Sequence, residues 1–170
     1  MATLTSPPQV VVMGVAGAGK TVVGSALATA LAVPFADGDD LHPQHNIDKM
    51  ASGQPLDDED RRPWLEAIGT WLTTHRDRGG VVACSALRRA YRDQLRQACA
   101  EVTFVHLSGD RDIVATRVAA RHGHFMPTSL VDSQFRTLEP LGPDEDGITL
   151  DLSRPVDDLV ARALQWLSHR

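Results

Sequence analysis

The sequence predicts an α/β fold in which a five-stranded parallel sheet is covered by helices on both faces. A Gly-rich loop, residues 14–19, lies between an apolar strand and a segment whose apolar residues recur at helical spacing. Four more short apolar segments follow, and helical stretches separate them. Short, continuously apolar strands are typical of parallel sheets that are buried on both faces. There is no internal repeat and no clear boundary within the 170 residues, so we expect one domain.

The predicted elements alternate along the chain. Residues 1–8 are expected to form a loose leader. Strands are expected at 10–13, 33–36, 81–84, 102–107 and 148–152. Helices are expected from the Gly-rich loop to about 32, at 42–52, from about 57 to 76, at 87–99, from about 110, at 130–138 and at 156–167. The acidic run at 57–60 suits a helix N-terminus, and Pro43 suits a first helical turn.

Composition limits the possible partners. The net charge of −5 argues against broad binding to nucleic acid or to an anionic membrane. No stretch of about 18 apolar residues could span a bilayer, and residues 1–9 do not look like a signal peptide. The two cysteines have no framework spacing, which indicates a reducing compartment. We therefore expect a cytoplasmic protein without nucleic-acid or membrane partners.

The loop and the start of its helix fit the phosphate-binding pattern of Gly, four residues, Gly-Lys, then Ser or Thr. We call residues 14–21 the phosphate loop. Its members are Gly14, Val15, Ala16, Gly17, Ala18, Gly19, Lys20 and Thr21. The backbone amides and the helix N-terminus would cradle phosphates, Lys20 would reach the β- and γ-phosphates, and the Thr21 hydroxyl would ligate Mg²⁺. The loop therefore predicts a site for ATP and Mg²⁺.

Two carboxylates follow the second predicted strand. Asp37 and Asp39 are one residue apart on an extended segment, so their side chains should point to different sides. The carboxyl ends of parallel strands form the edge where open α/β sheets bind ligands. One carboxylate could face hydrated Mg²⁺ and the other an acceptor hydroxyl, as phosphoryl transfer requires. The alternative is a solvated acidic turn.

Arginines provide a further signal for an anionic substrate. Arg117 and Arg121 are one helical turn apart and precede residues 122–127, so they could clamp phosphates on a mobile flap or lie solvated on a helix face. A second group suits an anionic acceptor and consists of Arg61, Arg88, Arg89 and Arg92. Arg92 and Arg96 could equally be surface charges, and for Arg96 we favour that interpretation.

Two other pairs are interpreted as structural. His42 and His45 are three residues apart, but no third ligand is evident, so the sequence does not favour a transition-metal site. Trp64 and Trp71 are separated by aliphatic residues and are expected to lie in the core.

Five motifs together are specific enough to indicate a family. They read MGVAGAGKT at 13–21, DGDDLHPQHNIDKMASG at 37–53, DRRPWL at 60–65, CSALRRAYRD at 84–93 and GHFM at 123–126. In these motifs the chain resembles the gluconate kinases of the thermoresistant type, in the shikimate-kinase-like branch of the nucleoside-monophosphate-kinase superfamily. The resemblance extends from about residue 10 to residue 167. One departure is Arg88-Arg89, where the family often has two lysines.

The resemblance implies an activity and an architecture. It implies transfer of the ATP γ-phosphate to the 6-hydroxyl of D-gluconate, a three-layer P-loop kinase fold with strand order 2-3-1-4-5, and often a homodimer. Residues 37–76 would form a substrate-binding helical region, and residues 117–138 a lid that closes over ATP.

The resemblance also implies roles for single residues. Asp37 would support Mg²⁺ through water, and Asp39 would be the acceptor-side carboxylate and general base. Arg117 would lie over the adenine, and Arg121 would contact the moving phosphate. The acceptor side would consist of His42, Arg61, Arg89 and His124.

Three rival functions remain. A shikimate kinase or another small-acid kinase should have a Gly-rich end to the third strand, whereas this chain has Cys84-Ser85-Ala86. A nucleoside-monophosphate kinase needs a base-reading pocket, which we do not identify. A regulatory nucleotide-binding module would not need Lys20, Thr21 and both carboxylates together.

Overall fold

The computed structural model describes residues 4, 6–120 and 128–170. The strands in these residues are β1 (Gln9–Met13), β2 (Phe35–Asp37), β3 (Gly80–Ala83), β4 (Val102–Ser108) and β5 (Gly147–Asp151). The helices are α1 (Lys20–Leu31), a 3₁₀ helix (Gly38–Leu41), α2 (Gln44–Ala51), α3 (Asp58–Thr74), α4 (Arg89–Ala98), α5 (Arg111–Ala120), α6 (Thr128–Thr137) and α7 (Val156–Ser168).

The described strands form one parallel sheet in the order β2-β3-β1-β4-β5, which confirms the predicted sheet and strand order. β1 lies at the centre, and Val11 is paired with Val82 on one side and with Phe104 on the other. All five strands point the same way, so their carboxyl ends meet at one edge, which we call the ligand edge.

The sheet divides the core into two layers. Alternate residues of β1 face opposite sides, so Val10 and Val12 pack with α1 and α7, whereas Val11 and Met13 pack with α3 and α4. The first layer is the α1–α7 layer and the second is the α3–α4 layer. This arrangement explains why the strands are apolar on both faces.

The acidic start of α3 is a reciprocal cap. The Asp57 carboxylate accepts the Asp60 amide, and the Asp60 carboxylate accepts the Asp57 amide. Trp64 lies on the buried face of α3, as predicted, and its indole Nε1 donates to the Gly38 carbonyl at 2.7 Å. The start of α3 is therefore fixed against the 3₁₀ helix at the ligand edge.

Several boundaries differ from the predicted ones by about two residues. β2 begins at Phe35 because Ala32 ends α1 in a left-handed conformation and the Val33 amide turns back to the Ala28 carbonyl. α4 begins at Arg89 because Ala86 adopts φ 45° in the turn that follows β3. Neither left-handed residue is a glycine, so the usual sequence signal for such a turn is missing.

Two further observations concern membranes and the predicted lid. Among the described residues, every helix is too short or too polar to span a bilayer. Residues 121–127, inside the predicted lid 117–138, lie outside the described residues, and so do the predicted site residues Arg121 and His124.

Candidate active site

The phosphate loop connects β1 to α1 at the ligand edge, as predicted. Gly14 has φ 151°, and a Cβ there would lie 2.8 Å from the Leu107 carbonyl oxygen of β4, so only glycine fits this turn. Gly19 ends the turn as the left-handed N-cap of α1 and provides no side-chain cap. The first amides of α1 therefore face the loop, where they can bind an anion.

Lys20 folds back over the loop. Its ammonium Nζ donates to the Gly14 carbonyl at 2.9 Å and to the Val15 carbonyl at 3.1 Å. The loop is also held from outside, since the Ala16 amide donates to the Gln134 side chain on α6 at 2.6 Å. No sequence pattern indicated this contact, because Ala16 and Gln134 are far apart in the chain.

Thr21 and Asp37 lie together, as the sequence predicts for a magnesium site. The Thr21 hydroxyl donates to Asp37 Oδ2 at 2.9 Å, and Asp37 Oδ1 accepts the Asp39 amide at 3.0 Å. A hydroxyl and a carboxylate beside a phosphate site are the oxygen ligands that Mg²⁺ prefers, and it keeps several waters. In the described part of the chain, no three His, Cys, Asp or Glu side chains form a metal-binding group. The Thr21 hydroxyl and the Asp37 carboxylate are both oxygen donors, and this donor set fits Mg²⁺.

Asp39 lies on the 3₁₀ helix, and its side chain is exposed. Gly38 makes this position possible, since a Cβ there would lie 2.4 Å from the Ala83 carbonyl oxygen. The extended segment that was predicted to carry both carboxylates ends at Asp37, because Asp39 already lies on the 3₁₀ helix. Asp37 is bonded to Thr21, and the role of the exposed Asp39 toward an acceptor stays a prediction.

His42 is positioned by aromatic stacking. Its ring lies 4.3 Å from that of Trp64 at an interplanar angle of 12°, and its Nδ1 is 3.2 Å from the Asn46 amide nitrogen. Burial lowers the pKa of His42, the Asp39 carboxylate opposes that shift, and the Arg61 guanidinium adds to it. Asp39, His42 and Arg61 are therefore close enough to interact electrostatically, whereas His45 pairs with Asp60.

The predicted arginine group is divided by its partners. Arg61 donates to the Tyr91 hydroxyl at 3.1 Å, and its guanidinium lies 5.4 Å from the centre of the Tyr91 ring. Arg89 makes a bidentate pair with Asp144 at 2.9 and 2.5 Å. That pair raises the pKa of the Arg89 guanidinium, and the predicted contact of Arg89 with an acceptor stays a prediction.

The expectations for Arg92 and Arg96 are wrong. Arg92 is fully buried, and it donates to the Glu145 carboxylate at 2.8 and 3.0 Å and to the Ala86 carbonyl at 2.8 Å. Arg96 bridges Asp93 and Glu145 and lies over Phe104. Both side chains tie α4 to the loop before β5, so neither is an acceptor ligand or a plain surface charge.

Two more residues complete the ligand edge. Arg117 donates to the Leu152 carbonyl at 2.8 Å, which places its guanidinium beside the end of β5. Cys84 directly follows β3, and its thiol is influenced by the charges of Lys20, Asp39 and Asp37. Burial raises the pKa of Cys84 to about 12, so the thiol stays protonated and is not a nucleophile.

Sequence reasoning missed Tyr91 and Asp58. The Tyr91 hydroxyl donates to Asp58 at 2.5 Å and accepts from Arg61, so one phenol connects α4 to the start of α3. Tyr91 follows Arg88 by one helical turn, and this spacing could have indicated that Tyr91 lies near the arginines. Nothing in the sequence indicates that its partner is Asp58, which is 33 residues away.

Comparisons with known proteins decide the family. A family model described as shikimate kinase matches residues 16–139. The thermoresistant gluconokinase of Escherichia coli K12 is 42% identical over 158 residues, covering 91% of this chain and 90% of the relative. The gluconokinase of Gluconobacter oxydans 621H is 49% identical over 141 residues, covering 82% and 79%.

The chain belongs to the gluconokinase branch of the shikimate kinase family. A gluconokinase crystal structure from Sinorhizobium meliloti 1021 agrees, with a TM-score of 0.88, 45% identity and coverage of 96% of this chain and 93% of that one. The predicted resemblance and the P-loop kinase fold are thus confirmed. As a family member, the chain is an ATP-dependent carbohydrate kinase.

Proposed function

We propose that this family member transfers the γ-phosphoryl group of ATP to the 6-hydroxyl of D-gluconate, giving 6-phospho-D-gluconate and ADP. The observation that carries the proposal is the placement of Asp39, His42 and Arg61 beside a phosphate loop in a chain whose relatives are named gluconokinases. The loop would hold the triphosphate, and the three side chains would hold the acceptor.

The proposed chemistry follows from the two carboxylates. Asp39 accepts the proton of the 6-hydroxyl as that oxygen bonds to the γ-phosphorus, while the bond to the bridging oxygen breaks and ADP leaves. Lys20 and the loop amides stabilise charge on the phosphates. When bound at Thr21 and Asp37, Mg²⁺ neutralises part of the phosphate charge. Asp37 would hold it through water, and Arg117 would lie over the adenine.

The remaining roles rest on the resemblance. Arg121 is proposed to contact the moving phosphate, and Arg89 and His124 to contact the acceptor. We also propose that the chain is a cytoplasmic homodimer. Light scattering during size-exclusion chromatography tests the dimer, and a mass of one chain would contradict it.

The test is ADP release from Mg²⁺-ATP with a panel of acceptors: D-gluconate, shikimate, D-glucose, AMP, CMP and none. Release with gluconate, and a phosphorus signal coupled to the two C6 protons of the product, is the expected result. Release with shikimate instead would keep the kinase chemistry and change the substrate. No release with any acceptor, from a protein that binds ATP, would favour a regulatory module.

A further inference from the structure

The four arginines that the sequence assigns to an anionic acceptor, Arg61, Arg88, Arg89 and Arg92, differ in how far their charge is already neutralised. Arg89 has both of its terminal nitrogens on Asp144, and Arg92 is enclosed with Glu145. A guanidinium in a bidentate pair has its planar fork occupied. The two arginines that remain are Arg61 and Arg88.

Arg61 and Arg88 share one weakly placed carboxylate. Arg61 Nη1 lies 4.0 Å from Asp58 Oδ1, and Arg88 Nη1 lies 3.9 Å from Asp58 Oδ2, so both pairs are at the limit of an ion pair. Asp58 Oδ1 takes its short hydrogen bond from the Tyr91 hydroxyl instead. The Asp58 side chain is 65% exposed. Two guanidinium groups therefore share one solvated carboxylate, which can neutralise only one of them.

This pair of arginines is linked to the ligand edge through Trp64 of α3. Trp64 bonds to the Gly38 carbonyl beside Asp39, and the His42 ring stacks on it. Arg61 lies about one turn before Trp64 on the same helix. Arg88 is the N-cap residue of α4, which has no side-chain cap, so the partial positive charge of this helix end adds to that of the arginines.

We propose that the carboxylate of the acceptor binds between Arg61 and Arg88, and that Arg88 determines the preference for a sugar acid over a neutral polyol. The inference rests on the proposed function, in which the acceptor carries a reacting hydroxyl at one end and an acid at the other. Asp39 and the arginine pair are separate groups, as such a linear acceptor requires. Tyr91 holds the arrangement by bonding Asp58 and orienting Arg61.

The test begins with two variants of Arg88. Arg88→Ala should raise the KM for D-gluconate about tenfold or more, since it removes a charged hydrogen-bond donor to the acceptor carboxylate. The KM for ATP and kcat at saturating gluconate should stay within about twofold of wild type. Arg88→Lys keeps the charge without the fork, so its KM should be intermediate.

Arg62→Ala is the matched control. Arg62 directly follows Arg61 on α3. It makes a loose ion pair with Glu59 at 3.6 Å and lines a groove between α3 and α4. This variant loses the same charge and should keep the wild-type KM for both substrates.

Competitive inhibition by D-glucitol, which lacks the acid, should be equal in wild type and in Arg88→Ala.

Two results would overturn the inference. One is an unchanged KM for gluconate in Arg88→Ala, and the other is a selective rise in Arg89→Ala with none in Arg88→Ala. Calorimetric titration of D-gluconate separates this failure from that of the proposed function. If wild type binds gluconate without phosphorylating it, the proposed function is wrong and the affinity of Arg88→Ala still decides the inference; no binding at all contradicts both.

Discussion

Asp37 and Asp39 have different partners although only one residue separates them. Asp37 accepts hydrogen bonds from the Thr21 hydroxyl and from the Asp39 amide, whereas the Asp39 side chain is exposed. We expect Asp39→Asn to lower kcat about a hundredfold or more, because an amide cannot take the acceptor's proton. Steady-state ADP release measures it, and Asp40→Asn on the same 3₁₀ helix should keep the wild-type rate. A folded Asp39→Asn variant with normal kcat would exclude Asp39 as the base.

His106 is a buried titratable residue on β4. Within the described residues neither ring nitrogen has a hydrogen-bond partner, and burial, with a smaller contribution from the Arg92 charge, lowers the pKa of His106 to about 4. The native ring is therefore neutral near pH 5, where a His of ordinary pKa 6.5 in the unfolded chain is protonated.

The sign of the pH effect follows from that difference. As pH falls from about 6.5 to about 4, His106 binds a proton in the unfolded chain but not in the native state. The contribution of His106 therefore lowers the free energy of unfolding by about 3 kcal/mol. His106→Phe should remove that part of the loss. Urea unfolding at pH 7.5, 6, 5 and 4 measures it, and a constant difference between variant and wild type across this range would contradict the prediction.

At the scale of elements, α4 and the loop before β5 are joined through a buried charge. Glu145 accepts from Arg92, Arg96 and the Gly142 amide. Burial alone would raise the pKa of Glu145, but these hydrogen bonds outweigh it and hold the pKa at about 2. The carboxylate therefore remains charged across the neutral and mildly acidic range.

We expect Glu145→Ala to lower the free energy of unfolding by about 3–5 kcal/mol, since it leaves the buried Arg92 charge without its counterion. Asp144→Ala is the control, because the Arg89–Asp144 pair is exposed to solvent and should contribute much less to the free energy of unfolding. Urea unfolding at pH 7 compares the two. An equal decrease in the free energy of unfolding in both variants would contradict the prediction that the buried Glu145–Arg92 pair contributes more to stability than the exposed pair.

The elements that sequence could predict are those whose signal is local. The apolar segment Val10–Met13 and the phosphate loop after it predict β1, the turn and α1, because the apolar residues and the glycine pattern are contiguous in the chain. The start of α4 and the role of Arg92 could not be predicted in this way. Ala86 is not a residue type that marks a left-handed turn, and Glu145 lies 53 residues from Arg92.

The candidate site shows the same division. Thr21 and Asp37 could be paired from sequence, because a motif and the end of a strand place both at the ligand edge. The arginines could be assigned only as a group. Their individual partners depend on side chains from a distant loop, so spacing on α4 alone does not separate Arg88 from Arg89.

At the scale of the whole molecule, one sheet is shared by both core layers. Leu27 of α1 is fully buried in the α1–α7 layer, and Ile68 of α3 is fully buried in the α3–α4 layer. Each layer rests on the opposite faces of the same strands, so neither can lose its packing without exposing the sheet. The two layers should therefore unfold together, as we expect if the chain is a single domain.

The three tryptophans allow that prediction to be tested. Trp64 and Trp71 pack in the α3–α4 layer, and Trp166 packs in the α1–α7 layer, so fluorescence of Trp166→Phe reports the α3–α4 layer. In that background, Leu27→Ala and Ile68→Ala should each lower the free energy of unfolding by about 2–5 kcal/mol. Fluorescence and far-ultraviolet circular dichroism should give one midpoint for each variant. If Leu27→Ala shifts the dichroism transition but leaves the fluorescence midpoint in place, the layers unfold separately and the molecule is not one cooperative unit.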